Sequence, residues 1–420
     1  MKTKAVRLYG KEDLRLEEFE LPVMKDDEML AKVISDSICM SSYKAVKQGS
    51  EHKRVPNDID KNPTIIGHEF CGILLEVGKK WQHKFQVGQK FSIQPALNYK
   101  GSLHAPGYSY QFIGGDATHI IIPNEVMEMD CLLPYSGDDF FLASLSEPMS
   151  CIVGAFHANY HTKPGVYVHD MDIKAGGNMA ILAGVGPMGL GAIDYALHRE
   201  RKPRLLVVTD IDDQRLSRAE SLYPVSEAKK QGINMMYVNT QKQSDAVKYL
   251  LSLTNNEGYD DVFVFAPVKQ VIEQGDQILG RDGCLNFFAG PSNPEFKAEF
   301  NFYNVHYGST HIVGTSGGNT DDMKESLDMM AKGLINSASM ITHIGGLDSV
   351  IQTVMNLPDI PGGKKLIYTN ISMQLTAIAD FAEKGKTEPL FAALHDIVKR
   401  HKGLWNLEAE KYLLSHASAL

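Results

Sequence analysis

The chain has 420 residues, 43% hydrophobic and 22% charged, with a formal net charge of −9, which describes a water-soluble protein too long for one ordinary core and therefore built from two domains. The negative balance argues against a nucleic-acid or anionic-membrane partner, and no run of about 18 uncharged apolar residues exists to span a bilayer. Five scattered cysteines (Cys39, Cys71, Cys131, Cys151, Cys284) and a start without a signal-peptide core suit a reducing cytoplasm better than a disulfide framework.

Alternating apolar and polar residues predict strands at 4–8, 14–19, 29–35, 73–77 and 90–93, so residues 1–100 are read as β-rich. Within them, Ile65-Ile66-Gly67-His68-Glu69-Phe70-Cys71-Gly72 places three metal-capable side chains in four residues. Gly67 permits the turn that neighbouring side chains need if they are to share an ion. The nearest preceding sulfur is Cys39. Thiol, imidazole and carboxylate together are zinc chemistry rather than magnesium or calcium chemistry. The same residues also suit a buried Cys, a packed His and a surface Glu.

Residues 44–62, with Lys44, Lys47, His52, Lys53 and Arg54, are expected to form an exposed basic loop. Such a loop is either a solvated charge run or a greeting for an anionic substrate, because it follows Cys39 so closely. Residues 95–123 contain no cysteine, so no four-cysteine zinc site can be built there. Glu147-Pro148, set among apolar and small residues, either caps a helix or projects toward something positive.

A short apolar strand at 178–184 then runs into Gly184-Val185-Gly186-Pro187-Met188-Gly189 and a helix through residue 198. A second strand at 204–209 ends in Asp210. Glycines between a strand and a helix let backbone approach a pyrophosphate, and the helix start favours its charge. The residues assigned to cofactor binding are Gly184, Gly186, Pro187, Met188, Gly189, Asp210 and Arg215. Asp210 would accept from the ribose hydroxyls and, with Asp212 and Asp213 beside it, favour NAD, while Arg215 and Arg218 leave NADP open. Strands at 233–238, 261–265, 284–289 and 311–315 alternate with helical segments and predict a doubly wound parallel sheet. A helix from Thr320 to about Lys332 follows, then strands at 340–344 and 365–369 that could return to the first domain. In the tail, Thr387 is expected to cap a helix with Pro389 in its first turn and Leu390, Leu394 and Ile397 as its apolar stripe, ending at Gly403.

Taken in order, Cys39-Met40-Ser41, Gly67-His68-Glu69, Glu147-Pro148, the glycine turn and Asp210 resemble the medium-chain, zinc-dependent alcohol and polyol dehydrogenases over roughly residues 1–370. The stretches 67–85, 283–291 and 311–323 resemble most the L-sorbose 1-phosphate reductase branch. The resemblance implies an α/β protein. It would have a β-rich GroES-like catalytic domain (1–165 and 318–373), an inserted Rossmann domain (166–317) and a helical C-terminal extension (374–420). It implies Cys39, His68, Glu69 and Glu147 as the metal set, with Glu69 binding directly or through water, and one catalytic zinc per subunit without a structural one. Ser41 would hand on the substrate's proton. Ser42 stands where many relatives carry a carboxylate behind the His, and Lys44 occupies the place of the outer His of the proton relay. Catalytic roles therefore fall to Ser41, Glu69 and Lys44, and a substrate phosphate to Lys47, Lys53 and Arg54. The implied reaction is hydride transfer between NAD(H) and a sugar-phosphate pair, L-sorbose 1-phosphate and D-glucitol 6-phosphate, in a cytoplasmic dimer or tetramer. The rivals are a dehydrogenase of unphosphorylated polyols and a non-catalytic NAD-binding protein.

Overall fold

The computed structural model describes residues 1–420, which form two compact units: Met1–Glu147 with Asn319–Gly333 and Ser337–Leu420, and Pro148–Gly318 with Leu334–Asn336.

The first unit is built on an eight-stranded sheet. At its centre the strand Met29–Ile38 pairs antiparallel with Phe70–Val77 on one side and Lys364–Tyr368 on the other. Lys365 lies opposite Ile38, and Asp36 opposite Phe70. This register brings three chain positions to one corner of the sheet: Cys39 just past one strand, Glu69 just before the second, and Lys364 at the start of the third. The central strand is buried nearly throughout (MLAKVISDSI): its first part is mostly apolar, and Ser35, Asp36 and Ser37 are buried polar groups near its end. Three strands not expected from the sequence, His119–Ile122, Leu132–Pro134 and Thr376–Ala377, complete the sheet.

The expected basic loop begins instead as a helix, Met40–Gln48, because Ala45 and Val46 have an apolar core to enter. The tail packs into this unit: Ile371 bridges Ala419, and Trp405 is fully buried. Its helix spans Pro389–Arg400 with Phe391, Leu394, Ile397 and Val398 buried. Glu388, not Thr387, occupies the position before the first turn, and the Thr387 hydroxyl donates backward to the Lys384 carbonyl.

The second unit is a six-stranded parallel sheet in the order Asn234–Asn239, Leu205–Asp210, Asn178–Leu182, Tyr259–Val264, Leu279–Phe287, His311–Val313. Strand order reverses on either side of Asn178–Leu182, so the chain leaving that strand enters the crevice where such sheets bind ligands. An unexpected hairpin, Tyr160–Lys163 with Val166–Met171, precedes the sheet. Asn159 and His161 bond Asp261, and Thr162 bonds Asp282, so the hairpin belongs to this unit. The first division between the two compact units falls at 147/148.

Candidate metal centre and dinucleotide site

Gly67 has φ +89°, and a Cβ there would lie 2.7 Å from the Asp116 amide nitrogen and 2.9 Å from Asp36 Oδ2. Only glycine makes this turn, and it swings His68 and Glu69 toward Cys39. One ligand atom from each of Cys39, His68 and Glu69 lies within 4.8 Å of the others. Behind the turn, Asp36 Oδ1 accepts the Glu69 N–H at 3.1 Å, and both Asp36 and Asp116 are fully buried. Burial pushes Asp116 up to about 8, and burial with the Asp116 charge raises Asp36 as well, so this pair retains protons that exposed carboxylates would lose.

His68 is fixed from both ring nitrogens. Ser42 Oγ lies 3.2 Å from Nδ1 and orients the ring from that side. Nε2 faces Ser41 Oγ at 3.2 Å and Tyr108 Oη at 3.3 Å. Burial lowers the His68 pKa, opposed by the Glu147 and Glu69 charges, so a neutral imidazole is available as a ligand. Burial raises the Cys39 thiol, while the Lys364 charge works in the opposite direction.

Glu69 is not a free carboxylate. Lys364 Nζ donates to Oε1 at 2.5 Å and Oε2 at 2.6 Å, and the Ser37 hydroxyl donates to Oε2. Lys364 was not singled out from the sequence. Although burial opposes its charge, Glu69 and Cys39 hold its pKa above the usual lysine value. Glu147, in the first turn of Ser146–Ala158, acts on the same group electrostatically: burial, then the Glu69 charge, pushes it up to about 7. A thiol, a neutral imidazole and a carboxylate gathered in this way, with Glu147 coupled to them by charge, fit zinc.

Ser41 lies among these donors. Its hydroxyl donates to Cys39 Sγ at 3.1 Å and accepts from Tyr108 Oη at 2.9 Å. Tyr108, also missed in the sequence, is buried, with its ring 4.8 Å from that of His68. It comes from a stretch without strand or helix pattern, which offered no local signal. The hydroxyl that donates to Ser41 is that of Tyr108, while Lys44 stands on the helix Met40–Gln48. Of the basic residues, Arg54 places its guanidinium 5.6 Å from the Tyr108 ring centre, and His52 stacks on the same ring. Lys53 is exposed. Lys47 turns away to an ion pair with Glu12, because the helix carries it to the outer face.

In the second unit, Gly186, Pro187, Met188, Gly189, Asp210 and Arg215 line one cavity of about 580 Å³. A Cβ on Gly189 would come within 2.2 Å of the Gly184 carbonyl oxygen, so the helix Pro187–His198 packs against the turn only with glycine there. Asp210 Oδ1 accepts the Ile211 and Asp212 amides, which fixes the carboxylate at the strand end. Asp212 and Asp213 stand beside it and have partners of their own. Asp212 caps the helix Asp213–Leu222, and Asp213 pairs with Lys242. The cavity is therefore lined by one acid, Asp210, and one base, Arg215.

A sheet-borne candidate metal centre in one unit and a doubly wound fold in the other are the two parts of a zinc-type dehydrogenase. Residues 25–129 match the alcohol dehydrogenase GroES-like domain, and residues 187–332 match the zinc-binding dehydrogenase domain. The chain is 55% identical over 412 residues (98% of this chain, 97% of the other) to mannitol-1-phosphate 5-dehydrogenase of Aliivibrio fischeri. It is 52% identical over 415 residues (99% and 98%) to L-sorbose 1-phosphate reductase of Klebsiella pneumoniae. It shares its fold with a zinc-binding dehydrogenase from Sinorhizobium meliloti bound to NADP (TM-score 0.69, 21% identity, covering 88% of this chain and 99% of that one). The chain belongs to the zinc-dependent medium-chain alcohol and polyol dehydrogenases, a family that uses zinc and a nicotinamide cofactor. No helix is long and apolar enough to cross a membrane.

Proposed function

We propose that this polyol dehydrogenase interconverts a ketose phosphate and a hexitol phosphate, L-sorbose 1-phosphate and D-glucitol 6-phosphate, with NAD(H). The observation that carries the phosphate is Arg54, held over Tyr108 beside the metal centre. Two full-length relatives named for sugar-phosphate substrates support the same reading. Cys39, His68 and Glu147 would hold the zinc, with Glu69 kept on Lys364. A zinc ion so held supplies Lewis-acid polarisation of the substrate oxygen. His68 offers Nε2, because Ser42 occupies Nδ1. The Ser41 hydroxyl, backed by the Tyr108 hydroxyl, holds or releases the proton of that oxygen. Asp210 favours NAD by accepting ribose hydroxyls and repelling a 2′-phosphate, while Arg215 in the same cavity moderates the preference. Assembly into a homo-oligomer draws support from Phe302, Tyr303 and Tyr307, which are exposed.

NADH oxidation with L-sorbose 1-phosphate and with L-sorbose tests the reading: the phosphate ester is expected to give much the higher kcat/KM. Equal values would favour a dehydrogenase of unphosphorylated polyols, to which the diversion of Lys47 to Glu12 lends weight. Arg54→Ala with Lys53→Ala is expected to raise KM for the phosphorylated substrate and leave the unphosphorylated one unchanged; a common effect on both would remove the loop from phosphate recognition. Ser41→Ala should slow turnover by about 10²-fold, the usual scale for an acid–base group. A pH–rate profile identical to the parent enzyme's would take Ser41 out of proton transfer.

A further inference from the structure

The tail ends in the helix Leu407–His416, which sends one carboxylate into the interior. Glu410 is 1% exposed. Its Oε2 accepts the Phe140 N–H at 2.8 Å and its Oε1 the Phe141 N–H at 2.9 Å. Oε1 also accepts the Tyr368 hydroxyl at 2.8 Å, and Trp405 Nε1 in turn donates to Tyr368 Oη at 2.7 Å. A carboxylate this deep persists only where several donors offset its lost hydration. The two amides stand at the start of the helix Phe141–Ser144, where no intrahelical acceptor exists for them.

That short helix leads at once into Ser146–Ala158 and Glu147. The turn is fastened to the strands that carry the other donors. Ser144 Oγ donates to the Ser35 carbonyl at 3.1 Å, on the strand that ends before Cys39. Ser146 Oγ lies 2.9 Å from Ser92 Oγ, which donates to the Phe70 carbonyl at 3.1 Å, one residue past Glu69. Tyr368, the side-chain donor to Glu410, closes the strand whose first residue is Lys364. One carboxylate thus joins the turn bearing Glu147 to the strand bearing the partner of Glu69.

Resting on the reading of Cys39, His68 and Glu147 as zinc ligands, we propose that Glu410 is a positioning residue for the metal centre. The C-terminal helix clamps the Phe140–Leu145 turn and thereby sets where Glu147 meets the ion. Packing alone would need only apolar contacts, as Phe391 and Leu394 make in the preceding helix. A carboxyl group that accepts a hydrogen bond from each of two successive amides fixes a backbone position instead.

The test compares the full-length parent, Glu410→Gln and Leu394→Ala, each loaded with Co²⁺ as the spectroscopic probe. Gln keeps the shape of Glu but presents an NH₂ to one of the two amides, whereas Leu394→Ala loosens the tail without touching Glu410. Glu410→Gln is expected to shift the Co²⁺ d–d bands and to release metal to a chelator on the order of 10- to 100-fold faster, as when a partner behind a ligand is removed. NADH affinity should be unchanged. Leu394→Ala should lower the melting temperature and leave bands and release rate as in the parent. A parental spectrum and release rate in Glu410→Gln overturn the proposal, and so does an equal shift in Leu394→Ala. Should Glu410→Gln not fold, Tyr368→Phe removes one donor and is expected to give a smaller shift of the same bands; a parental spectrum there overturns the proposal as well. If the parent takes up no Co²⁺, the metal reading itself fails, and that is visible before any variant is compared.

Discussion

His68→Ala is expected to abolish stoichiometric zinc and to lower turnover by roughly 10³-fold or more, the scale that follows from losing several kcal/mol of Lewis-acid stabilisation. The argument is geometric. His68 supplies a neutral Nε2 held by Ser42 on the far side of the ring, and no other histidine belongs to the group that includes Cys39 and Glu69. Cys39→Ala should behave alike, since its sulfur is the single thiol of that group. Both variants should bind NADH like the parent, because the cavity around Gly186, Asp210 and Arg215 is built from the other unit. Metal analysis with NADH fluorescence titration checks this. Near-parental turnover in either variant would contradict the assignment.

The second large effect is expected from Lys364→Met. The Glu69 side chain is 1% exposed and that of Lys364 11%, so removing the ammonium leaves a buried carboxylate without its counter-charge. Breaking such a pair by removing one partner typically costs about 3–5 kcal/mol, most of it the stranded charge. Thermal or urea unfolding should show a marked loss of stability, and adding Glu69→Gln should recover much of it. A double variant no more stable than Lys364→Met alone would show that the pair is not what matters. The ion pair also keeps Glu69 from acting as an unopposed negative charge beside Cys39, so turnover of the single variant should fall with its stability.

The chemistry-bearing residues differ in how they could be found. Gly67-His68-Glu69 is legible because a left-handed turn and two donors sit in three consecutive residues, and the glycine turn at 184–189 because it joins a buried strand to a helix. Lys364 and Tyr108 were not legible. Lys364 reaches Glu69 across 295 positions through the pairing of Lys365 with Ile38, and nothing local announces that register. Counting charges along 44–62 treated Lys47 and Arg54 alike, whereas the helix Met40–Gln48 sends the first to Glu12 and leaves the second beside Tyr108. Asp212, counted from the sequence as negative charge beside Asp210, also has a local use that the sequence reading did not assign: it caps the helix Asp213–Leu222. The tail's apolar stripe was visible, but the buried Glu410 on the next helix was not, because its donors lie at 140, 141 and 368.

The most direct test of the metal-centred account is metal removal and return. The purified chain is expected to carry one zinc, to lose turnover in step with that zinc under a chelator, and to recover it when zinc alone is restored. A metal-free preparation that still oxidises NADH with L-sorbose 1-phosphate at the original rate would contradict it.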